Sequence, residues 1–314
     1  MSQYRRLCST VLTLLLAPVG LILTGAPAAA SYVVPMPTDL STGLDRIDQH
    51  ALPLSGYAAK YNFTATGAGV TAYVIDSGVR LTHADFQGRA TLGIDLTGGN
   101  GTDVIGHGTF VAAEIGGKTY GAAKAVNIVS VQVQAANTNI PFSMVIAGID
   151  WVTAHAHKPA VANISLSSPG VYPPLDAAVQ RLIKSGVTVI IAAGNNNQDA
   201  CLHSPGSTPQ AITVASTNAT TDTRATDSNY GNCVDLFAPG VKANSAAKTS
   251  DTAFTQMSGT SMATPLVTGV AALYLSKHPT ATPATVRNAL VAASTPGVVK
   301  DAKSPNSLLY SLVG

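Results

Sequence analysis

Residues 70–78 read Val70-Thr71-Ala72-Tyr73-Val74-Ile75-Asp76-Ser77-Gly78. A run rich in β-branched residues ends at a carboxylate, and Ser-Gly follows. A run that is apolar throughout, not alternating, is the mark of a strand covered on both faces. Similar runs recur at 126–133, 160–164, 187–193 and 211–215. Helix-compatible segments lie between them at 107–115, 144–155 and 175–185, and two further helices are expected after Ser261 and over 284–293. Buried runs alternating with helices predict an α/β domain, its central sheet mostly parallel with helices on both faces. In such sheets chemistry gathers beyond the carboxyl ends of strands, which makes Asp76 the first residue to weigh.

The composition bounds the rest. Apolar residues are 46 % of the 314 and charged residues 11 %, enough for a large core and too few charges for a disordered chain. The formal charge is +2 with no cluster of Lys or Arg, so nucleic acid is not an expected partner. Arg5 and Arg6, an apolar stretch over 11–23 and Gly25-Ala26-Pro27-Ala28-Ala29-Ala30 make the three regions of a secretory signal peptide over 1–30. Thr13, Pro18 and Gly20 interrupt the stretch and argue against a membrane anchor, so no membrane association is expected after cleavage. Cys8 leaves with that segment. Cys201 and Cys233 remain, an even pair suited to an oxidising compartment.

Three places carry polar residues where strands give way to helices. Asp76 follows the first run, His107 stands in Gly106-His107-Gly108-Thr109, and Ser261 stands in Ser258-Gly259-Thr260-Ser261-Met262-Ala263-Thr264-Pro265. Singly they read as a turn residue, a loop residue and a helix cap. Together, Asp, His, Ser is one of the chain orders of the acyl-transfer triad. A serine hydroxyl is a poor nucleophile until an imidazole takes its proton, and the imidazole needs a carboxylate to hold its tautomer. Other sites fail direct checks. Ala263 breaks the Gly-x-Ser-x-Gly elbow. Gly67-Ala68-Gly69 precedes a strand where a dinucleotide loop would follow one. His155 and His157, two apart on a helix, do not share a face.

These motifs resemble those of the subtilisin-like serine proteases, and the likeness extends over residues 43–312. Gly43-Leu44-Asp45-Arg46-Ile47-Asp48-Gln49, Ala192-Ala193-Gly194-Asn195, Asp235-Leu236-Phe237-Ala238-Pro239-Gly240, Ala271-Ala272-Leu273-Tyr274-Leu275 and Leu308-Leu309-Tyr310-Ser311-Leu312 are similar to the proteinase K branch, aqualysin-type secreted enzymes above all. The resemblance implies one subtilisin-like domain over 43–314, after an irregular lead-in at 31–42 that holds Pro35 and Pro37. It implies that Asp76 orients the imidazole, His107 is general base and then acid, and Ser261 is the nucleophile. The Asn195 side chain and the Ser261 N–H would hold the oxyanion, and Ser165, Leu166, Ser167, Ala193 and Gly194 would line the substrate. It implies a disulfide between Cys201 and Cys233, no cofactor for catalysis, and a structural calcium on Asp235 with the carbonyls of Pro209 and Ala211. A second calcium site of the family finds Asp45, Asp48 and Gln49, but Ser55 and Tyr57 stand where further ligands are expected. The expected protein is a monomeric, extracellular endopeptidase of broad specificity acting on proteins or peptides. The alternative is a silent relative that binds peptides or another protein.

The chain departs from the family at four places. Glu114 stands in His107-Gly108-Thr109-Phe110-Val111-Ala112-Ala113-Glu114, about 10 Å along the helix from His107. A buried Glu114 would have a raised pKa, while a rim position would leave it solvated. Ser167 and Ser168 replace two glycines of the substrate strand, which predicts a narrower pocket and smaller preferred side chains. Phe110 and Leu266 each replace a histidine, by repacking or by drift. Finally, no propeptide is recognisable between 30 and 43, so a folding helper acting in trans, or slow unassisted folding, is expected.

Overall fold

The computed structural model describes residues 32–35, 42–54, 60–135 and 140–313; the signal-peptide expectation lies outside them. The chain runs through β1 (Tyr32–Pro35), α1 (Thr42–Ile47), β2 (Lys60–Phe63), β3 (Thr71–Asp76), β4 (Ala90–Asp95), α2 (His107–Gly116), β5 (Asn127–Gln132), α3 (Phe142–His155), β6 (Ala160–Ile164) and α4 (Pro173–Lys184). It continues through β7 (Thr188–Ala192), β8 (Ile212–Thr217), β9 (Leu236–Pro239), β10 (Ala243–Ala246), β11 (Phe254–Met257), α5 (Thr260–Lys277), α6 (Pro283–Ala293), β12 (Thr295–Pro296) and β13 (Ser307–Leu308).

Nine strands form one sheet in the order β12-β13-β9-β8-β7-β6-β3-β5-β4, parallel except for the β12–β13 pair. Strand β3 is the hinge of this order. β4 and β5 build outward on one side of it, and β6 to β9 on the other. The carboxyl end of β3, where Asp76 stands, is therefore the switch point at which open α/β sheets place their sites.

The uncharged run of β3 is explained by its two covers. Ala72 and Val74 join a core that includes Val111, Ile115, Val267 and Val270 of α2 and α5. Tyr73 and Ile75 face the opposite core, with Ile149 and Val152 of α3 and Val179 and Leu182 of α4. Period-two alternation puts successive side chains into different cores, so neither face tolerates a charge. Helix α5 is buried along almost its whole length, with no polar stripe, as befits a helix inside the molecule. Among the described residues no helix is long and apolar enough to cross a membrane.

Three features add to the sequence pattern. The edge strand β4 was not anticipated, because it exposes Thr91 and Leu92 and slips register between Leu92 and Ile94, so it lacks a buried run. The lead-in is not wholly irregular: Tyr32–Pro35 pairs antiparallel with Lys60–Phe63. Pro35 is the last residue of that strand, a place where a missing N–H is tolerated. Pro265 is the sixth residue of α5, beyond the first turn where a helix accepts proline freely.

Candidate active site

Asp76 is fully buried, and both its oxygens face His107: Nδ1 lies 2.8 Å from Oδ1 and 2.9 Å from Oδ2. With a carboxylate accepting there, the proton belongs on Nδ1, which leaves Nε2 as the basic nitrogen. Burial lowers the His107 pKa, but the Asp76 charge and hydrogen bond, with help from Asp103, outweigh it and the net shift is upward.

His107 opens α2, and its position depends on a cap the sequence reading passed over. Asp103 Oδ1 accepts from Gly106 N at 2.7 Å and from Ser77 Oγ at 2.9 Å, while Oδ2 accepts from Thr109 N at 2.9 Å. Ser77 Oγ in turn accepts from Gly108 N at 3.0 Å. Asp103 thus satisfies the open N–H groups of the helix start and ties it to the end of β3. An acid four residues before His107 was the available signal. Gly108 has no alternative, since a Cβ there would stand 2.1 Å from Gly78 O.

Ser261 is the second residue of α5. Its Oγ donates to Ser165 O at 3.1 Å, and Ser165 Oγ donates to Ser261 O at 3.0 Å. No hydrogen bond between Ser261 and His107 is present among the described residues; α2 and α5, which carry them, are packed together. Asn195, after β7, accepts with Oδ1 from Thr260 N at 2.8 Å and from Thr260 Oγ1 at 3.0 Å. Those two bonds settle the amide orientation and leave Nδ2 as an outward donor. Thr260 Oγ1 also accepts from Gly194 N at 3.2 Å. Asn229, another residue the sequence reading missed, is buried and braces this turn: Nδ2 donates to Ala193 O, and Oδ1 accepts from Asn196 N and Gln198 N. No sequence pattern marks it.

A family model described as the subtilase family matches residues 67–309. The chain belongs to the subtilase family. It is 55 % identical over 273 residues to an extracellular serine proteinase of Thermus sp. (strain Rt41A), covering 86 % of this chain and 65 % of that protein. It is 48 % identical to alkaline serine exoprotease A of Vibrio alginolyticus, covering 88 % of this chain and 51 % of that one. The chain thus spans between half and two thirds of the length of these relatives. A solved cold-adapted subtilisin-like serine proteinase superposes with a TM-score of 0.84 at 47 % identity, covering 88 % of this chain and all of that one.

In this subtilase the residues expected to line a substrate lie around the same end of the sheet. Ser165 is buried, Leu166 is half-buried and Ser167 is exposed. The side chain of Ser168 turns inward: its Oγ donates to Gly170 O and accepts from Ser204 N. Of the two serines replacing glycines, only Ser167 can therefore crowd the cleft. Gly194, at φ 101°, faces it closely, since a Cβ there would lie 2.8 Å from Ser167 Oγ. Beyond Leu166 and Ser167 a hollow of about 380 Å³ opens between Ile140, Phe142, Val145 and Leu175.

Cys201 and Cys233 are joined, with Cα atoms 5.3 Å apart. Glu114 is buried; it lines a cavity of about 20 Å³ with Leu44, Tyr120 and Leu266, and its Oε2 has no hydrogen-bond partner. Burial pushes its pKa well above the usual carboxylate range. Phe110 and Leu266 are both buried in the core packed around α5.

At the first calcium site implied by resemblance, the Asp235 carboxylate is already engaged by protein groups. Asp235 Oδ2 accepts from Thr213 N at 2.9 Å, and Oδ1 is bound by Arg287 Nη2. Among the described residues no group of three acidic, histidine or cysteine side chains is arranged to hold a metal. At the second implied site, Asp48 Oδ2 is taken by the backbone and side-chain amides of Asn62, and Ser55 and Tyr57 lie outside the described residues.

Proposed function

We propose that this chain is a secreted serine endopeptidase that cleaves peptide bonds through Asp76, His107 and Ser261. The observation that carries the reading is the buried Asp76 carboxylate with both oxygens on His107 Nδ1. It holds the tautomer that makes Nε2 a base and stabilises the imidazolium formed later. Ser261 Oγ turns from Ser165 O toward Nε2 and attacks the substrate carbonyl as its proton passes to His107. The oxyanion is held by Asn195 Nδ2 and by the Ser261 N–H at the positive end of α5. His107 then gives the proton to the departing amine, leaving an acyl-Ser261. Water, deprotonated by His107, releases the acid and restores the enzyme. Beyond substrate and water, every step draws on groups of the chain itself.

Ser165, Leu166, Ser167, Ala193 and Gly194 line the bound peptide in this reading, and the exposed Ser167 hydroxyl favours small side chains before the scissile bond. The apolar hollow beside Leu166 favours an aliphatic residue further along the substrate. Fluorophosphonate labelling of the folded chain, with tryptic mapping and a Ser261→Ala control, tests the proposal. Label on Ser261 alone is expected. A folded chain that takes no label would overturn it in favour of a silent peptide-binding relative.

A further inference from the structure

Asp235 stands just before β9, and Arg287 lies on α6. The geometry points to Arg287 as the permanent counter-cation of Asp235: the guanidinium supplies the positive charge at this carboxylate, and no calcium binds there.

Both oxygens of Asp235 are committed. Asp235 N donates to Thr213 O at 2.9 Å, and Thr213 N donates back to Asp235 Oδ2 at 2.9 Å. This reciprocal pair extends the β8–β9 ladder by one step before its first register pair, Val214 with Leu236. Oδ2 is therefore part of the sheet, and a metal binding both oxygens would have to share that one with the Thr213 amide. Oδ1 is left for a cation, and Arg287 Nη2 occupies it. The Asp235 side chain is 10 % exposed and that of Arg287 38 %, so the charged contact is made inside the surface.

The guanidinium is not a loose surface contact. Its Nε is buried without a hydrogen-bond partner, a cost that an arginine free to extend into water would avoid. What offsets that cost is the charge-assisted bond to Asp235. Calcium takes six to eight oxygens at roughly 2.3–2.6 Å and gains most from several carboxylates. Here there is one carboxylate, and a divalent ion on its Oδ1 would meet a guanidinium already in place. The pair also fastens α6 to the start of β9.

The test uses the chain in a Ser261→Ala background, so it is independent of whether the proposed peptidase activity is correct. Calcium is titrated by calorimetry into the parent, Asp235→Asn and Arg287→Met proteins after chelation. The parent and Asp235→Asn are expected to bind the same number of calcium ions, whatever that number is. Arg287→Met is expected to lose about 5 °C of Tm, with or without calcium. One ion fewer in Asp235→Asn than in the parent overturns the inference, as does an unchanged Tm for Arg287→Met. Should Asp235→Asn fail to fold, parent crystals grown in calcium decide. Anomalous density at roughly 2.3–2.6 Å from Asp235 overturns the inference, and the guanidinium alone upholds it.

Discussion

Ser165 Oγ donates to Ser261 O at 3.0 Å, taking the carbonyl that Pro265 leaves without its helical donor. In a regular helix the N–H of residue 265 would bond to that oxygen, and proline has none. The vacancy in α5 thereby becomes a point of attachment for the segment after β6. Ser165 is fixed in turn by Asn163, whose Nδ2 donates to Ser165 Oγ at 2.9 Å and whose Oδ1 accepts from Thr268 Oγ1 at 2.8 Å.

Ser165→Ala should therefore leave the partly buried Ser261 carbonyl unpaired beside the nucleophile. We expect kcat/KM on a peptide anilide to fall about tenfold, the equivalent of one hydrogen bond. Adding Pro265→Ala restores the helical N–H and should recover part of the loss. A double variant no better than Ser165→Ala would show that the helix vacancy is irrelevant.

The acid limb of activity should report His107. Burial lowers its pKa, and the Asp76 charge and hydrogen bond, aided by Asp103, more than reverse this, so the folded value lies above 6.5. Attack needs the neutral ring, so kcat/KM should fall as pH drops through a midpoint above 6.5. Asp103→Asn removes one of the raising charges and should move that midpoint to lower pH. A midpoint that stays put would confine Asp103 to capping α2.

Glu114 makes a prediction about stability. Its folded pKa is raised above the ordinary 4.5, so the folded chain keeps a proton that the unfolded chain has released. The stabilising contribution is complete below 4.5 and is lost as pH rises through the folded value. Glu114→Gln, which cannot ionise, should match the parent near pH 4 and exceed it by about 3–6 °C in Tm under alkaline conditions. A constant Tm difference across pH would refute a buried, proton-holding carboxyl.

The disulfide closes a loop of 32 residues that contains Asn229, the brace of the Asn195 turn. Replacing Cys201 and Cys233 with serine should cost about 3–4 kcal/mol in denaturant unfolding on the chain-entropy model. If the brace depends on the loop, kcat should fall as well while KM changes little. Unaltered kcat would show that Asn229 holds the turn unaided.

Strands β3 and β6 were readable because burial on both faces writes itself as uninterrupted apolar sequence. Strand β4 was not, because a half-wet edge with a register slip leaves no such run. Asp76, His107 and Ser261 stood out because their residue types, order and positions at element ends agree with one chemistry. Thr260 and Asn229 act through hydrogen bonds to groups more than thirty residues away, and such bonds leave no periodicity to read, while Asp103 caps α2 from nearby and offered only an acid before His107 as its signal. Asp235 shows the opposite failure. Its motif was recognisable, but its partner Arg287 lies 52 residues later on a helix whose pattern announces only amphipathicity.

Helix α5 is enclosed by side chains along almost its entire length. Segments so enclosed exchange their amide hydrogens only when the whole domain opens. As the peptidase proposed above, the chain would face attack by copies of itself on whatever it exposes, and the helix bearing Ser261 offers little to cut. Self-digestion must begin at wet edges such as β4 or await global unfolding. On the proposed function, the lifetime of the Ser261 nucleophile is thus set by how fast those edges, or the whole domain, open.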